Sequence, residues 1–238
     1  MITSRDAICI IPARGGSKRI PRKNIRDFLG KPIIAYSIEA AVKSNLFEEI
    51  IVSTDDEEIK RIAEHYGARV PFMRDARLAD DYATTDDVLL SVLEELKIQG
   101  KTYKYMVCLY ATAPFITSEV LCKAMDKMIQ DGKADQLLSV VEYSYPPQRS
   151  YHVAENGRAE FIYPQFVSTR SQDLEKWYHD AGQFYIFDAL NYMEKKGIIL
   201  DNTIPYVLNE LMVQDIDTEL DWKLAELKYS VMREELLL

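Results

Sequence analysis

The stretch Ala7-Ile8-Cys9-Ile10-Ile11-Pro12-Ala13-Arg14-Gly15-Gly16-Ser17-Lys18-Arg19-Ile20-Pro21-Arg22-Lys23-Asn24 largely decides which fold and which kind of ligand the chain is expected to have. Its apolar start, Ala7–Ile11, predicts a strand buried on both faces, as in a parallel sheet. Gly15 and Gly16 follow, and glycines let a backbone turn tightly and bring its N–H groups close to a ligand. The same turn carries five cationic side chains, Arg14, Lys18, Arg19, Arg22 and Lys23. Cations on such a turn indicate a polyphosphate ligand.

The remainder of the chain is acidic, with a formal net charge of -9 over 238 residues. This balance argues against nucleic-acid binding, which needs an extended basic face, whereas one basic loop suits a single nucleotide. No apolar run is long enough to span a membrane, and Met1–Asp6 lacks the apolar segment of a signal peptide. Cys9, Cys108 and Cys122 are widely spaced without a Cys-x-x-Cys pair, which predicts reduced residues in a cytoplasmic protein.

Strand-like and helix-like segments alternate, which predicts an α/β fold with a mostly parallel sheet and helices on both faces. Strands are predicted at Ala7–Ile11, Glu49–Ser53, Arg69–Phe72, Tyr105–Tyr110, Gln136–Val141, Gln183–Phe187 and Pro205–Leu208. Helices are predicted at Pro32–Ser44, Asp56–Tyr66, Thr85–Ile98, Thr117–Gln130, Asp188–Lys195 and Leu220–Glu235. The length suits a single domain over residues 1–238.

The alternation stops in an excursion over residues 142–178, which is rich in tyrosine, proline and glutamine. Its Asn156-Gly157 dipeptide is a turn signal and predicts a β-hairpin or an irregular segment. The excursion carries too many aromatic side chains for a free loop, so they need burial. Their partner is either the chain's own domain or a second copy of it.

The glycine turn matches neither the G-x-x-x-x-G-K-[ST] loop nor the G-x-G-x-x-G fingerprint. From charge alone, a solvated basic turn explains it as well as a ligand site does. The combination of a strand end, paired glycines, Ser17 and flanking cations favours the ligand site. Ligands of open α/β sheets bind at the carboxyl ends of strands, which is where this turn is predicted.

Asp215 and Asp217 are two residues apart, so an extended segment places both carboxylates on one side. Two hard oxygen ligands together with substrate phosphates make a Mg²⁺ site. Alternatively, Asp217 or Thr218 caps the helix that begins near Leu220. The two roles are compatible, because one residue can cap the helix while another binds metal.

The segment Pro12–Lys18, followed by Pro21, Lys23 and Asn24, resembles the signature of the CMP-sialic acid synthetases, also called acylneuraminate cytidylyltransferases. The resemblance continues in order from about residue 8 to 228, at Val52–Asp56, Phe72–Arg74, Leu78–Asp81, Thr84-Thr85 and Asp215–Thr218 with Asp221. Three stretches are most similar to the pseudaminic acid cytidylyltransferases of that family: Ser17–Asn24, Tyr110–Phe115 and Asp180–Tyr185. Tyr110 stands where sialic acid enzymes usually carry Gln.

The resemblance implies a Rossmann-like nucleotidyltransferase fold and transfer of CMP from CTP to the anomeric hydroxyl of a nine-carbon acidic sugar, with release of pyrophosphate. Pseudaminic acid is the first expected substrate, and N-acetylneuraminate or legionaminate is the alternative. Mg²⁺ is the implied cofactor, and the excursion is implied to be a dimerisation arm, hence a homodimer.

The resemblance also implies a role for particular residues. The catalytic residues are Arg14, Lys23, Asp215 and Asp217, and the last two also bind the metal. The nucleotide-binding residues are Ala13, Arg14, Gly15, Gly16, Ser17, Lys23, Asn24, Arg74, Thr85, Tyr110 and Thr112. The sugar-binding residues are Gln148, Arg149, Asp180, Gln183 and Tyr185.

Three other functions compete with this one. A sugar-1-phosphate nucleotidyltransferase usually carries a Gly-x-Gly-Thr-Arg-type loop, which this sequence lacks. A glycosyltransferase can use an Asp-x-Asp pair, but normally at the end of a strand in the middle of the sheet. A non-catalytic nucleotide-binding module is a different class, and the presence of Arg14, Lys23, Asp215 and Asp217 argues against it.

Overall fold

A computed structural model describes residues 6–80, 82–197 and 201–236, without the side chains of 234–236. Met1 to Arg5 of the N-terminal segment and Asp81 of the resembling segment, both used above, lie outside the described residues. The strands are β1 Ala7–Pro12, β2 Asp27–Phe28, β3 Lys31–Pro32, β4 Glu49–Ser53, β5 Tyr105–Leu109, β6 Gln136–Glu142, β7 Tyr151–Val153, β8 Ala159–Phe161, β9 Tyr178–Asp188 and β10 Thr203–Leu208. The helices are α1 Ile33–Ser44, α2 Glu57–His65, α3 Thr85–Ile98, α4 Ser118–Asp131, α5 Ala189–Lys195 and α6 Glu219–Leu236.

Six strands form the central sheet in the order β10-β6-β9-β5-β1-β4. β1 is parallel to both β4 and β5, and β6 is parallel to β10. β9 is antiparallel to its neighbours β5 and β6. The predicted α/β class with a mostly parallel sheet is therefore confirmed, and the carboxyl ends of β1, β4, β5, β6 and β10 share one edge.

Both faces of the sheet are covered, as a sheet with near-continuous apolar strands requires. On one face, α1 and α4 contribute Ile34, Ile38 and Leu121 to a core with residues such as Cys9 and Val107. On the other face, α3 and α5 pack their own apolar residues against alternate strand residues. The aromatic side chains of α1 and α6 make a third cluster with Phe28.

Helix capping follows the sequence closely. Asp56 and Asp188 accept hydrogen bonds from the first turns of α2 and α5. Thr84 and Asp87 form a capping box at the start of α3, a reciprocal arrangement that satisfies two otherwise orphaned N–H groups. Of the two caps predicted for α6, the structure uses Thr218, whose Oγ1 accepts from Asp221 N–H at 3.2 Å.

The predicted strand Arg69–Phe72 is wrong. Arg69 makes a single parallel bridge to Ile51, and the chain then leaves the sheet. The physical reason lies in Pro71, which lacks an N–H group and cannot continue the ladder. β9 is longer than predicted because its first residues, Tyr178 to Asp180, are polar and still pair with β6 beyond a bulge between Leu138 and Val140.

The excursion contains a two-stranded hairpin of β7 and β8, so the Asn156-Gly157 turn signal is confirmed. Gly157 has a φ of +77°, a conformation that glycine adopts without strain. Several large side chains of the excursion face solvent, including Tyr145, which is 87% exposed, and Val153, which is 75% exposed. Within the described residues, no helix combines the length and apolarity that crossing a membrane requires.

Candidate active site

A cleft of about 310 Å³ opens where β1 and β5 end and α3 begins. Its lining includes five cationic side chains, Arg14, Lys18, Arg19, Lys23 and Arg74. Ser17, Asn24, Thr85, Tyr110 and Thr112 complete its polar lining with Thr84 and Asp80. The structure thus brings together most of the residues predicted to bind the nucleotide. A concave site with this density of cations suits a polyphosphate.

The basic turn, residues 13–24, is held from both sides. The backbone N–H of Ala13 donates to the carbonyl oxygen of Ser53 at 2.9 Å, which extends the pairing of β1 with β4. The side-chain amide of Asn24 donates to the carbonyl oxygen of Arg14 at 2.9 Å. Asn24 is largely buried, so it fixes the shape of the turn from inside.

Ala13, Gly15 and Gly16 are not among the described lining residues of the cleft. The Ala13 side chain is fully buried in the core. The Gly15 N–H donates to Asp55 Oδ1 at 2.8 Å, whereas it was predicted to face phosphate. Glycine is needed at position 15 for space, because a Cβ there would lie 2.9 Å from Asp56 Oδ2. Nucleotide binding by these three residues stays a prediction.

Arg74 forms one wall of the cleft. Its Nε donates to Ser53 Oγ at 3.1 Å, and its Nη2 donates to the carbonyl oxygen of the same residue. Burial lowers the pKa of Arg74 to about 10, which still leaves it charged at neutral pH. The side chain therefore ties the end of β4 to the segment that leads into α3.

Tyr110 and Thr85 meet on the opposite wall. Tyr110 OH and Thr85 Oγ1 are 3.2 Å apart, and either atom can donate. Burial raises the pKa of Tyr110 to about 12, so the phenol is neutral and available as a hydrogen-bond donor. The ring of Tyr110 also packs edge-on against Tyr185, with 6.0 Å between the ring centroids.

The predicted metal pair lies beside the basic turn. Lys23 Nζ donates to the carbonyl oxygen of Ile216 at 2.5 Å and lies 3.4 Å from Asp217 Oδ1. Arg19 Nη1 lies 2.8 Å from Asp217 Oδ2. Burial and the neighbouring Asp217 carboxylate raise the pKa of Asp215. Because Thr218 takes the capping role, both aspartate side chains are left for other partners.

A second cleft of about 350 Å³ lies at the same edge of the sheet, where β6 ends and β9 begins. Its lining has a different charge from that of the first cleft, with carboxylates in excess. The ionisable residues of this lining are Glu142, His179, Asp180, Glu210, Asp215 and Lys228. Sequence reasoning missed Glu210 and Lys228, which no motif marks. Lys228 Nζ donates to the Val213 carbonyl oxygen at 2.8 Å and so fixes the segment before Asp215.

One side chain predicted to bind the sugar, Asp180, lies at this second cleft, and a second, Tyr185, contacts Asp180. Tyr185 OH donates to Asp180 Oδ2 at 2.6 Å. Burial and this hydrogen bond raise the pKa of Tyr185 far above its ordinary value. Tyr185, which holds Asp180 of the second cleft, also packs on Tyr110 of the first. Lys23 of the first cleft contacts Ile216, the neighbour of Asp215 in the second. These two contacts link the clefts.

Like Tyr185, the other three predicted sugar residues are not among the described lining residues of either cleft. Gln183 is buried and donates through Nε2 to the Ala181 carbonyl oxygen at 2.9 Å. Gln148 is buried at the base of the excursion and donates to the Glu175 carbonyl oxygen at 2.8 Å. Arg149 donates to the carbonyl oxygens of Val167 and Thr169. In the single chain all three support local structure, and their contact with sugar stays a prediction.

Comparison with known proteins agrees with this geometry. The sequence profile of the cytidylyltransferase family matches residues 8–225. The chain is 45% identical to pseudaminic acid cytidylyltransferase of Campylobacter jejuni, over 95% of this chain and 97% of that protein. It is 33% identical to CMP-N,N'-diacetyllegionaminic acid synthase of Legionella pneumophila, over 97% and 99% of the two chains.

Among solved structures, CMP:2-keto-3-deoxy-manno-octonic acid synthetase complexed with CTP has the same fold, with a TM-score of 0.66. That likeness covers 96% of this chain and 99% of the other at 19% sequence identity. The sequence match spans nearly the whole chain and includes both the basic turn and the Asp215–Asp217 segment. The chain therefore belongs to the cytidylyltransferase family.

Proposed function

We propose that this protein transfers CMP from CTP to the anomeric hydroxyl of pseudaminic acid and releases pyrophosphate. The 45% identity to a pseudaminic acid cytidylyltransferase supports this choice of sugar. The observation that carries the proposal is a pair of neighbouring clefts of unlike charge, linked by the contacts of Tyr110 with Tyr185 and of Lys23 with Ile216. The cationic cleft suits the triphosphate, and the cleft with Asp180 and Asp215 suits a sugar rich in hydroxyl and amide donors.

In this proposal the triphosphate lies along the basic turn, with its α-phosphate close to Lys23. The sugar hydroxyl attacks that phosphorus, a P–O bond forms to the anomeric oxygen as the hydroxyl proton is lost to solvent, and the bond to the β-phosphate oxygen breaks to release pyrophosphate. Arg14, Arg19 and Lys23 stabilise the charge on the phosphate oxygens, and preorganised cations are effective because they need no reorganisation during the reaction. Because the two clefts are linked, they hold CTP and the sugar side by side in the orientation that the reaction needs.

We further propose that Asp215 and Asp217 hold Mg²⁺ together with substrate phosphates. Burial, and after it the charge of Asp217, raise the pKa of Asp215, and a divalent cation bound there would offset both effects. The described residues contain no group of three or more metal-binding side chains, so oxygen atoms of the substrates would complete the site. Bound there, the ion would neutralise charge on the phosphates.

We also propose a homodimer joined through the excursion and a cytoplasmic location. The exposed apolar side chains of the hairpin support the first proposal, since contiguous exposed apolar surface marks an interaction site. The free thiols of Cys9, Cys108 and Cys122 support the second, because reducing compartments keep cysteines unpaired.

Pyrophosphate release tests the proposed reaction. The purified protein is assayed with CTP and Mg²⁺ against pseudaminate, N-acetylneuraminate, legionaminate and the eight-carbon acid KDO. We expect release with pseudaminate at the highest kcat/KM. A higher kcat/KM with legionaminate would change the proposed sugar but not the proposed reaction. Legionaminate is the second candidate because the chain is 33% identical to a legionaminate enzyme. No release with any of these sugars, from folded protein, would refute the proposal.

A further inference from the structure

Of the five cations of the basic turn, Arg22 is the one that is not among the described lining residues of the cleft. Its Nη2 lies 3.1 Å from Asp56 Oδ1 and 2.5 Å from Glu58 Oε2, and its Nη1 bonds Asp56 Oδ2. Arg22 has a φ of +56°, which places a non-glycine residue in the left-handed region. Such a conformation is unfavourable for a residue with a Cβ and persists only where the surrounding contacts enforce it.

Asp56, the partner of Arg22, also supports the glycine turn. Asp56 Oδ1 accepts from the N–H groups of Glu58 at 2.9 Å and Ile59 at 3.0 Å, so its carboxylate is fixed at the start of α2. Gly15 packs directly on this carboxylate, at a distance that leaves no room for a Cβ. The Arg22 guanidinium is the main cause that lowers the pKa of Asp56 to about 2, so the pair stays ionised at any working pH.

Lys23, the next residue, projects to the other side of the turn. Its Nζ contacts the Ile216 carbonyl oxygen between Asp215 and Asp217. The left-handed backbone at Arg22 therefore sends two consecutive cations in opposite directions. One is attached to α2, and the other reaches Ile216, next to Asp215 of the second cleft.

We propose that Arg22 is a positioning residue whose ion pair with Asp56 fixes the glycine turn and aims Lys23 at the reacting phosphate. This inference rests on the proposed function, since it assigns a role within that reaction. In this proposal Arg22 acts through Asp56 and does not itself contact the triphosphate, unlike the cations that line the cleft. It also gives Asp56, a carboxylate outside both clefts, a part in nucleotide binding.

The decisive variant is Asp56→Asn. A positioning role of the ion pair predicts that this change raises KM for CTP, whereas an effect of net charge alone predicts that it lowers KM for CTP. Asn retains the capping of α2 but loses the ion pair. If the pair acts by position, Asp56→Asn raises KM for CTP and lowers kcat/KM by about 10- to 100-fold, the scale of a ~1 Å misplacement. If only net charge near the triphosphate matters, removing a carboxylate lowers that KM. Arg22→Lys keeps the charge and the side-chain length but loses the planar fork, so we expect it to behave like Asp56→Asn.

Asp75→Asn and Arg77→Lys serve as matched controls. Asp75 likewise accepts from a backbone N–H, of Arg77, and pairs with that guanidinium at 2.8 Å, and neither residue is among the described lining residues of the cleft. We expect these controls to leave both KM values unchanged. For the Arg22 and Asp56 variants, KM for the sugar and the circular dichroism spectrum should stay close to those of the wild type, which a general folding defect would not allow.

Calorimetric titration with CTP keeps this test independent of turnover. Wild-type protein that releases no pyrophosphate refutes the proposed function, and the CTP dissociation constants of the variants still test the position of the turn. The inference is overturned if Asp56→Asn binds CTP as tightly as the wild type or more tightly. It is also overturned if Arg22→Lys is indistinguishable from the wild type.

Discussion

Lys23 Nζ lies 2.5 Å from the main-chain carbonyl oxygen of Ile216, a residue separated from it by 193 positions in the sequence. Ile216 is buried and flanked by Asp215 and Asp217. The contact thus joins the basic turn after the first strand to the acidic segment before the last helix. It places a cation of the first cleft next to Asp215, which lines the second.

Replacing Lys23 by Met should lower kcat far more than it lowers stability. Met retains most of the side-chain volume but removes the charge that, in the proposed reaction, faces the phosphates. Losing one preorganised cation of this kind costs ~2–4 kcal/mol of transition-state stabilisation, or about 30- to 900-fold in kcat. Steady-state kinetics and thermal unfolding measure the two effects. Lys123→Met, which alters an exposed ion pair on α4, is the control and should leave kcat unchanged.

Asp215→Asn should raise the melting temperature at pH 7 while it abolishes turnover. The folded-state pKa of Asp215 is raised, so the folded protein binds its proton more readily than the unfolded chain does. Above the folded pKa the ionised side chain therefore destabilises the fold, and this penalty disappears as pH falls below the ordinary carboxyl pKa of about 3.9. Thermal scans from pH 7 to pH 4 should show the two melting temperatures converging. A variant less stable than the wild type at pH 7 would contradict the electrostatic account.

Mg²⁺ bound at Asp215 should stabilise the folded protein, whereas the ionised Asp215 side chain alone destabilises it. We expect Mg²⁺ with CTP to raise the melting temperature of the wild type more than CTP with EDTA does, because a ligand that binds only the folded state stabilises it. Asp215→Asn and Asp217→Asn should lose most of this difference. An equal response to Mg²⁺ in the wild type and both variants would place the metal elsewhere. Asp221→Asn is a less suitable control, since Asp221 Oδ2 accepts from the N–H of Thr218, the cap of α6.

Asp180→Asn should raise KM for the sugar and leave KM for CTP unchanged. The Asp180 carboxylate is oriented by Tyr185 OH at 2.6 Å and by Gly182 N–H at 2.8 Å, so it is fixed as an acceptor in the second cleft. Tyr185→Phe should have a smaller effect of the same kind, because the carboxylate remains but one of its donors is lost. The exposed Asp173, paired with Arg170 in the excursion, provides the control Asp173→Asn. Equal changes in both KM values would show that the two clefts are not separate subsites.

Val153→Glu should weaken self-association. Val153 is 75% exposed on the hairpin, and a charge there would have to be desolvated in a dimer interface. We expect the wild type to sediment as a dimer at micromolar concentration and the variant to dissociate at least about tenfold more readily, a change of ~1.4 kcal/mol. Val42→Glu, an exposed apolar position on α1, is the matched control. A monomeric wild type at tens of micromolar would remove the dimer proposal.

Local patterns predicted the elements well where one physical signal dominated. The strand Glu49–Ser53 and the helix Thr85–Ile98 have their predicted bounds, because an apolar run and a capped apolar periodicity are local properties. The failure at Arg69–Phe72 arose because Pro71 outweighs the apolar neighbours of a short run. The polar start of β9 escaped prediction because its pairing with β6 depends on a bulge in the other strand.

The sequence by itself determined the α/β class, the basic turn at the end of the first strand and the family resemblance. These follow from residue types and short spacings that act within a few residues of chain. Only the tertiary structure decided which cations face the cleft: Arg22 turns to Asp56, whereas Lys23 turns to Ile216. It also decided that Gly15 donates to Asp55 and that Asp180 and Asp215 share a second cleft. The physical reason is that side-chain direction depends on one left-handed residue and on partners that lie far away in the sequence.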